Sequence, residues 1–391
     1  MIATITPDSR WDLQRKPPFS AVLRNDLATG VGAAYTTKLL AEVGWDVVKV
    51  EPKDGEAGRL RGGRWGSGEG GAFAFVNHGK RWVEGDAEII EGLANSADVV
   101  VGDFSIGGCA ESGLDAALFE TLEPRGAVVS VSPFGLSGPR SSWAANDLVV
   151  QAASGLMFLT GEYDQPPMQL PPYAASMAGG IAAASAALAA NRSARKDGVT
   201  RRVDVAMVEA MAGHTYSQTS GYVSRGEVFR REQRVKQGLR MVPASDRFVY
   251  CAPGAVATMD MKGVAVLLNE PRLAEDRFQT AEGRMQHYQE FLDLFVPPFQ
   301  RQTAQEWFEQ AEKLHLTFAL VQTVDDLFSC PQLEARDFMR TIPGPRGFDV
   351  RVPGRPFRLE GGPAEADRPW SEDPGEHTIE VLHEWLGAPS E

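Results

Sequence analysis

The chain has 391 residues, 43% of them hydrophobic and 23% charged, enough to bury a sizeable core and to divide into two lobes. A net charge of −13 argues against a nucleic-acid binder, whose phosphate contacts need an excess of Lys and Arg. No run approaches the roughly 18 uninterrupted apolar residues of a membrane helix, and the opening MIATITPDSRWDLQRKPPF carries charges where a signal peptide has its apolar core, so a cytoplasmic chain without membrane contact is expected.

In chain order, AAYTTKLLAEVG is a helix closed by Gly44, and DVVKVEP is the buried strand after it. Ala87 to Asn95 forms a second helix with Asp86 as its N-cap, and ADVVVGDF and RGAVVSVSPFG are further buried strands. Strands alternating with helix-length intervals from Ala21 to about Val205 predict an open parallel α/β sheet. The stretch MAGGIAAASAALAANRSARKDG is a helix with small side chains, suited to close packing, with Ser176 as N-cap and Gly198 as stop. A second α/β piece starts at the strand in DRFVYCAPG. RMQHYQEFLDLFVPPF then places Tyr288, Phe291, Leu292 and Phe295 on one helix face. TAQEWFEQAEKL opens with a capping box, Thr303 and Glu306. The Pro- and Gly-rich tail TIPGPRGFDVRVPGRPFRLEGGP reads as extended and loop-like, and SEDPGEHTIEVLHEWLG as a closing helix.

Each chemical motif has a plain structural counterpart. GVGAAY matches a dinucleotide-binding turn at Gly30 and Gly32 but has Tyr35 where a small residue is needed, with Glu51 at the next strand end as the ribose-binding acid. Even a simple glycine turn leaves helix amides near Val31 and Gly32 aimed at an anion. Lys53, Arg59, Arg61, Arg64, Lys80 and Arg81 form a local basic cluster that suits a small polyanion or a solvated face. The six histidines are scattered outside any GxSxG elbow, the three cysteines form no CxxC pair, and neither HxxxH nor DxD occurs. No metal site and no permanently bound cofactor are expected.

Taken together and in order, several segments resemble the CaiB/BaiF family, the family III CoA-transferases related to formyl-CoA transferase and α-methylacyl-CoA racemase. They are GAAYTTKLLAEVGWDVVKVEPKDGEAGR, FVNHGKRWVEGD, ADVVVGDFSIG, VSPFGLSGP, NDLVVQAASGLMFLTGEYDQPP, RRVDVAMVEAM, FQTAEGRMQHYQEFLDLF, TAQEWFEQAEK and VQTVDDLFSCPQLEARDF. The resemblance implies a Rossmann-like CoA-binding domain over 1–205, a linker over 206–240, a smaller α/β domain over 241–325 and a C-terminal segment, 326–391, returning to the first. It also implies an interlocked dimer and CoA or acyl-CoA as ligand.

In the resembling transferases an aspartate ahead of the small-residue helix attacks an acyl-CoA, forming a mixed anhydride and then an aspartyl-CoA thioester. Counting back without gaps from Val203, that aspartate falls on Ser176, or on Ala175 with a one-residue shift. The racemase histidine falls on Asn146, so neither proton-transfer partner of that branch is present. A serine without an adjacent base is a poor nucleophile near neutral pH. Further departures are Asp103-Phe104 for Asn-Phe, Glu111 for a basic residue, and Ala33-Ala34 for Gly-Pro. Val31, Gly32, Lys53, Arg59, Asn77, Lys80, Arg81 and Phe104 keep the pattern as residues along a CoA-type ligand, and Asp103 stands at a further position of that set.

The first functional expectation is therefore an acyl-CoA-binding relative that lacks the nucleophile and acts as the non-catalytic subunit beside an aspartate-bearing paralogue. An alternative is an active lyase, hydratase or thioesterase using Asp147, with Glu162 and Asp164 as other nearby carboxylates. A nicotinamide-dependent oxidoreductase rests on Gly30, Gly32 and Glu51 only.

Overall fold

The computed structural model describes residues 20–24, 30–53, 55–56, 59, 64–65, 69–104, 116–162, 164–231, 241–251, 260–344, 347, 349–362 and 368–389. The chain forms two compact units: one of Met1–Met157, Gln169–Tyr216 and Asp337–Glu391, the other of Phe158–Met168 and Ser217–Arg336.

The first unit is built on β1 (Ser20–Arg24), β2 (Asp46–Glu51), β5 (Arg81–Glu84), β6 (Val99–Gly102), β7 (Ala127–Ser132) and β8 (Arg201–Ala206). They form a six-stranded sheet in the order β5-β2-β1-β6-β7-β8. Every pairing in it is parallel, for example Val48 against Arg81 and Val129 against Val203. The short strands β3 (Arg64–Trp65) and β4 (Glu69–Gly70) pair with each other. The helices are α1 (Val31–Glu42), α2 (Gly71–Asn77), α3 (Ala87–Ser96), α4 (Ala116–Thr121), α5 (Asp147–Ala153), α6 (Ala174–Asp197) and α7 (Met207–Ala212).

Valines make the central strands. Val99, Val101, Val129 and Val131 face a core with α1 and α6, while Val48, Val50, Val100 and Val128 face one with α3. Burial of both faces explains why these strands are continuous apolar runs. Asp86 caps α3 by accepting the Glu88 and Ile89 amides. The positive φ of Gly44 and Gly198 follows α1 and α6 as helix stops.

By length and mean hydropathy α6 is the one described helix that could cross a membrane, although Ser176 and Ser185 interrupt its apolar run. Its buried face, Ala175, Gly179, Gly180, Ala183, Ala184 and Ala187, instead packs in the unit's core. Glycine is required at the crossing with α1. A Cβ on Gly180 would lie 2.9 Å from the Gly32 carbonyl oxygen, and one on Gly32 would lie 3.0 Å from Val131 Cγ1. Thr36 secures the contact by donating to the carbonyls of Gly32 at 2.9 Å and Gly180 at 3.2 Å.

The tail is more ordered than its composition suggested. β12 (Met339–Ile342) and β13 (Val350–Pro353) form an antiparallel hairpin whose Ile342, Val350 and Val352 pack with Phe73, Trp82 and Trp370. The chain ends with the helix Thr378–Leu386.

The second unit carries the antiparallel sheet β11-β10-β9, from Phe318–Leu320, Phe248–Cys251 and Met241–Pro243. Its core is aromatic: Phe278, Phe291, Phe295, Phe299, Trp307 and Phe318. Phe291 and Phe295 are buried as expected, but their partner on Tyr288–Phe295 is Leu294, while Leu292 is only partly buried. Thr303 and Glu306 form a reciprocal capping box on Ala304–Lys313.

Candidate functional site

The geometry around the start of α6 follows from how its first turn is capped. Pro171 and Pro172 lead into Tyr173, which takes the left-handed conformation at φ 69° and offers no side-chain cap. The helix begins at Ala174, so Ser176 lies inside its first turn and is not the N-cap expected from sequence. Its amide is one of the orphan donors of a helix start. Asp147 satisfies it from α5, since Oδ1 accepts the Ser176 amide at 2.8 Å and the Ser176 hydroxyl at 2.9 Å.

The neighbouring residues fix that carboxylate. Asn146 caps its own helix by accepting the Val149 amide at 3.1 Å. Gln151 lies one turn beyond Asp147 and is 2% exposed. It donates from Nε2 to Asp147 Oδ2 at 2.7 Å and accepts the Leu170 amide on Oε1 at 2.8 Å. One side-chain amide therefore ties α5 to the segment that enters α6. Asp147 is half-buried, Asn146 is exposed and Ser176 is 4% exposed.

Chemically, the expectation that Ser176 has no acid or base beside it is corrected. A carboxylate is there, delivered by the helix that precedes α6. Among the described residues no imidazole or amine hydrogen-bonds this pair, and the Ser176 hydroxyl donates straight to the carboxylate. Ala175 is fully buried in the apolar core with Val31, Val131 and Met207.

Val31 and Gly32 stand beside this cluster. A Cβ on Gly32 would be 3.3 Å from the Ser176 carbonyl oxygen, so the first turns of α1 and α6 abut. The basic residues do not converge on them as one patch. Lys53 is exposed, and the side chains of Arg61 and Arg64 lie outside the described residues. Arg59 donates to Glu51 at 2.8 Å and to the Ser371 carbonyl at 2.8 Å, and its guanidinium lies 5.0 Å from the Phe73 ring centre. Arg81 bonds Asp46, Glu380 at 3.0 Å and Glu384 at 2.8 Å. Glu51 is occupied by Arg59 and by the Glu56 amide, which takes away the acid on which the nicotinamide reading rested.

Lys80 is fully buried, and donates to the Ala34 carbonyl at 3.0 Å and Asn77 Oδ1 at 2.7 Å. Burial pushes its ammonium well below the ordinary lysine range; Lys49 and Lys38 add to the effect, while Glu56 and Glu51 oppose it. His78 is buried nearby with Nδ1 2.9 Å from the Phe75 carbonyl oxygen. Burial, with Lys38 next, lowers it to about 3, so it is neutral at physiological pH. Asp103 and Phe104 are buried at the end of β6, where Phe104 meets Phe119 edge-on. Glu111 lies outside the described residues.

Gln151 is the site residue that sequence reading missed. The signal was its i, i+4 spacing from Asp147 on a capped helix, but its second bond, to Leu170, joins segments 19 positions apart.

A parallel open sheet, abutting helix starts and a carboxylate at the head of a small-residue helix define a protein of the α/β class. Comparison with known proteins then gives its family. The description CoA-transferase family III matches residues 25–378, and the chain belongs to that family. It is 28% identical to the succinate–glutarate CoA-transferase of Agrobacterium fabrum over 95% of this chain and 96% of that protein. It is 27% identical to subunit BbsE of the succinyl-CoA:(R)-benzylsuccinate CoA-transferase of Thauera aromatica, over 91% of this chain and 92% of the relative. Among solved structures, a CaiB/BaiF family protein from Brucella suis superposes with a TM-score of 0.80 at 24% identity, covering 94% of this chain and 98% of that one.

Proposed function

We propose that this chain binds an acyl-CoA in its first unit and serves in CoA transfer as the subunit that supplies no nucleophile, beside a paralogue that carries the family's aspartate. The observation that carries the reading is Ser176. Gapless counting back from Val203 brings the family's aspartate to Ser176, or to Ala175 with a one-residue shift; neither is a carboxylate, and the Ser176 hydroxyl is donated to Asp147. Covalent CoA transfer forms a mixed anhydride with release of CoA thiolate, which then attacks the enzyme's carboxyl carbon and expels the free acid; a serine has no acyl carbon to take up the thiolate.

A partner chain is supported by the helix Tyr216–Arg225, which buries none of its residues and leaves Tyr216, Tyr222 and Val223 exposed. A ten-residue helix is marginal in water without packing, so a second chain is the natural cover. The partner is a second copy or the paralogue, and we assign the assembly to the cytoplasm. For the ligand, we assign the first turn of α1 at Val31 and Gly32, with Lys53, to the CoA phosphates. Arg59, Asn77, Lys80 and Arg81, with Asp103 and Phe104, then shape the wall behind them.

A second reading is favoured by the 2.9 Å contact itself: Asp147 replaces the missing carboxylate and the chain is active alone. Two assays separate the readings. Thermal unfolding with and without acyl-CoA reports binding, and saturation at about 100 times Kd adds roughly 2.7 kcal/mol. CoA exchange is then measured for the chain alone, for Asp147→Asn, and for the chain co-expressed with the paralogue. Exchange only in the co-expressed complex supports the first reading; exchange by the isolated chain that Asp147→Asn abolishes supports the second.

A further inference from the structure

Among the described residues, the outer edge of β5 is closed by side chains and turns of the C-terminal segment instead of by another strand. The Gly79 amide donates to the Arg368 carbonyl at 2.8 Å, and the Glu84 amide donates to Thr378 Oγ1 at 3.0 Å. Between them, Trp82 is bonded on both sides of one residue. Its carbonyl accepts the His377 amide at 2.9 Å, and its amide donates to His377 Nδ1 at 3.2 Å. That last bond needs a lone pair on Nδ1, so the ring must be neutral with its proton on Nε2. An imidazolium would turn a second N–H toward the Trp82 amide and leave a buried donor without an acceptor.

We propose that His377 is a proton-sensitive latch, and that mild acid frees the C-terminal segment from the edge of β5. The ring has two carboxylates of its own segment near it, Glu376 and Glu380, and two guanidinium groups, Arg368 and Arg81. Arg81 in turn is held by Asp46 of β2 and by Glu380 and Glu384 of the closing helix. Glu84 of β5, whose amide donates to Thr378 at 3.0 Å, and Asp373, which accepts the Gly375 amide at 2.8 Å, are further charged residues of the same contact. Burial is the largest influence on the ring and resists its protonation, with Arg368 and Arg81 acting the same way. Opening the segment returns His377 to water, where it takes up a proton readily, so acid favours the open form. Release uncovers the amides of Trp82 and Glu84 on an edge strand, and Trp370 from the core beside it. This inference stands independently of the CoA reading.

Hydrogen exchange on the full-length chain tests it, read at the amides of residues 79–86 and 368–389 and corrected for the intrinsic pH effect. For wild type, lowering the pH from 7.5 to 5.5 reduces protection in both segments by up to about tenfold, the ratio set by an ordinary histidine in the open state. His377→Asn, whose amide oxygen can accept from the Trp82 amide without titrating, loses this response. The Glu380→Gln/Glu384→Gln double variant keeps it. Wild type with no pH response, or His377→Asn with the wild-type response, overturns the latch. Should His377→Asn fail to fold, the wild type and the double variant decide: a response lost in the double variant assigns the effect to the Arg81 ion pairs and overturns it equally.

Discussion

Replacing Ser176 by Asp is the most direct probe of the cluster at the start of α6. The Ser176 hydroxyl lies 2.9 Å from Asp147 Oδ1, so a carboxylate at 176 meets another at close range. Two unit charges 4 Å apart repel by about 4 kcal/mol at an effective dielectric of 20, and the hydroxyl bond worth about 1 kcal/mol is lost as well. The pair relieves part of this by retaining one proton between them, so the expected loss at pH 7.5 is about 2–4 kcal/mol. Urea unfolding of Ser176→Asp, Asp147→Asn and the double variant measures it as a cycle. The double variant is expected to recover at least about 1.5 kcal/mol relative to the sum of the single changes, because the second substitution removes the repulsion the first created. Single effects that add to within about 0.5 kcal/mol would refute direct contact between the two positions. The same logic predicts that an aspartate restored at 176 gives no CoA exchange until Asp147 is neutralised.

Other consequences are open to simpler assays. His78 is held near 3 when folded, against an ordinary 6.5, so the unfolded chain takes its proton first as pH falls. Its contribution is complete above 6.5 and is lost toward 3; between pH 7.5 and 5.5 the loss is about 1.4 kcal/mol, and His78→Asn removes that part of the slope in urea titrations. Gly180→Ala drives a methyl to 2.9 Å from the Gly32 carbonyl oxygen and costs about 1–3 kcal/mol in thermal unfolding. Gly179→Ala puts a methyl 2.6 Å from Cγ of Met207, near the root of a side chain that is 1% exposed, and costs about 1–3 kcal/mol likewise. Thr303→Ala removes the capping box on Ala304–Lys313 and costs about 1 kcal/mol.

Legibility in the sequence followed burial. β2, β6 and β7 lie inside the sheet with both faces covered, so they are valine runs that announce themselves. β5 and β8 are the two edges, RWVE and RRVDVA, whose charged residues interrupt the apolar run that marks the inner strands. The β12–β13 hairpin was hidden by the prolines and glycines at its ends. At the site, Asn146 and Asp147 were singled out by position alone. What the sequence could not state is that each caps a different helix, because the Asp147 to Ser176 bond spans 29 positions. The basic residues between 53 and 81 find partners that their spacing does not reveal. Arg59 and Arg81 are adjacent to carboxylates only through folding, and Lys80 is used by a helix carbonyl.

The decisive measurement is CoA exchange by the isolated, fully folded chain, using a panel of acyl-CoA donors with dicarboxylate acceptors, succinyl-CoA and glutarate among them. The account predicts that acyl-CoA raises the melting temperature, that no new CoA thioester forms, and that exchange appears once an aspartate-bearing paralogue is present. Sustained formation of the acceptor's CoA thioester by this chain alone would contradict it.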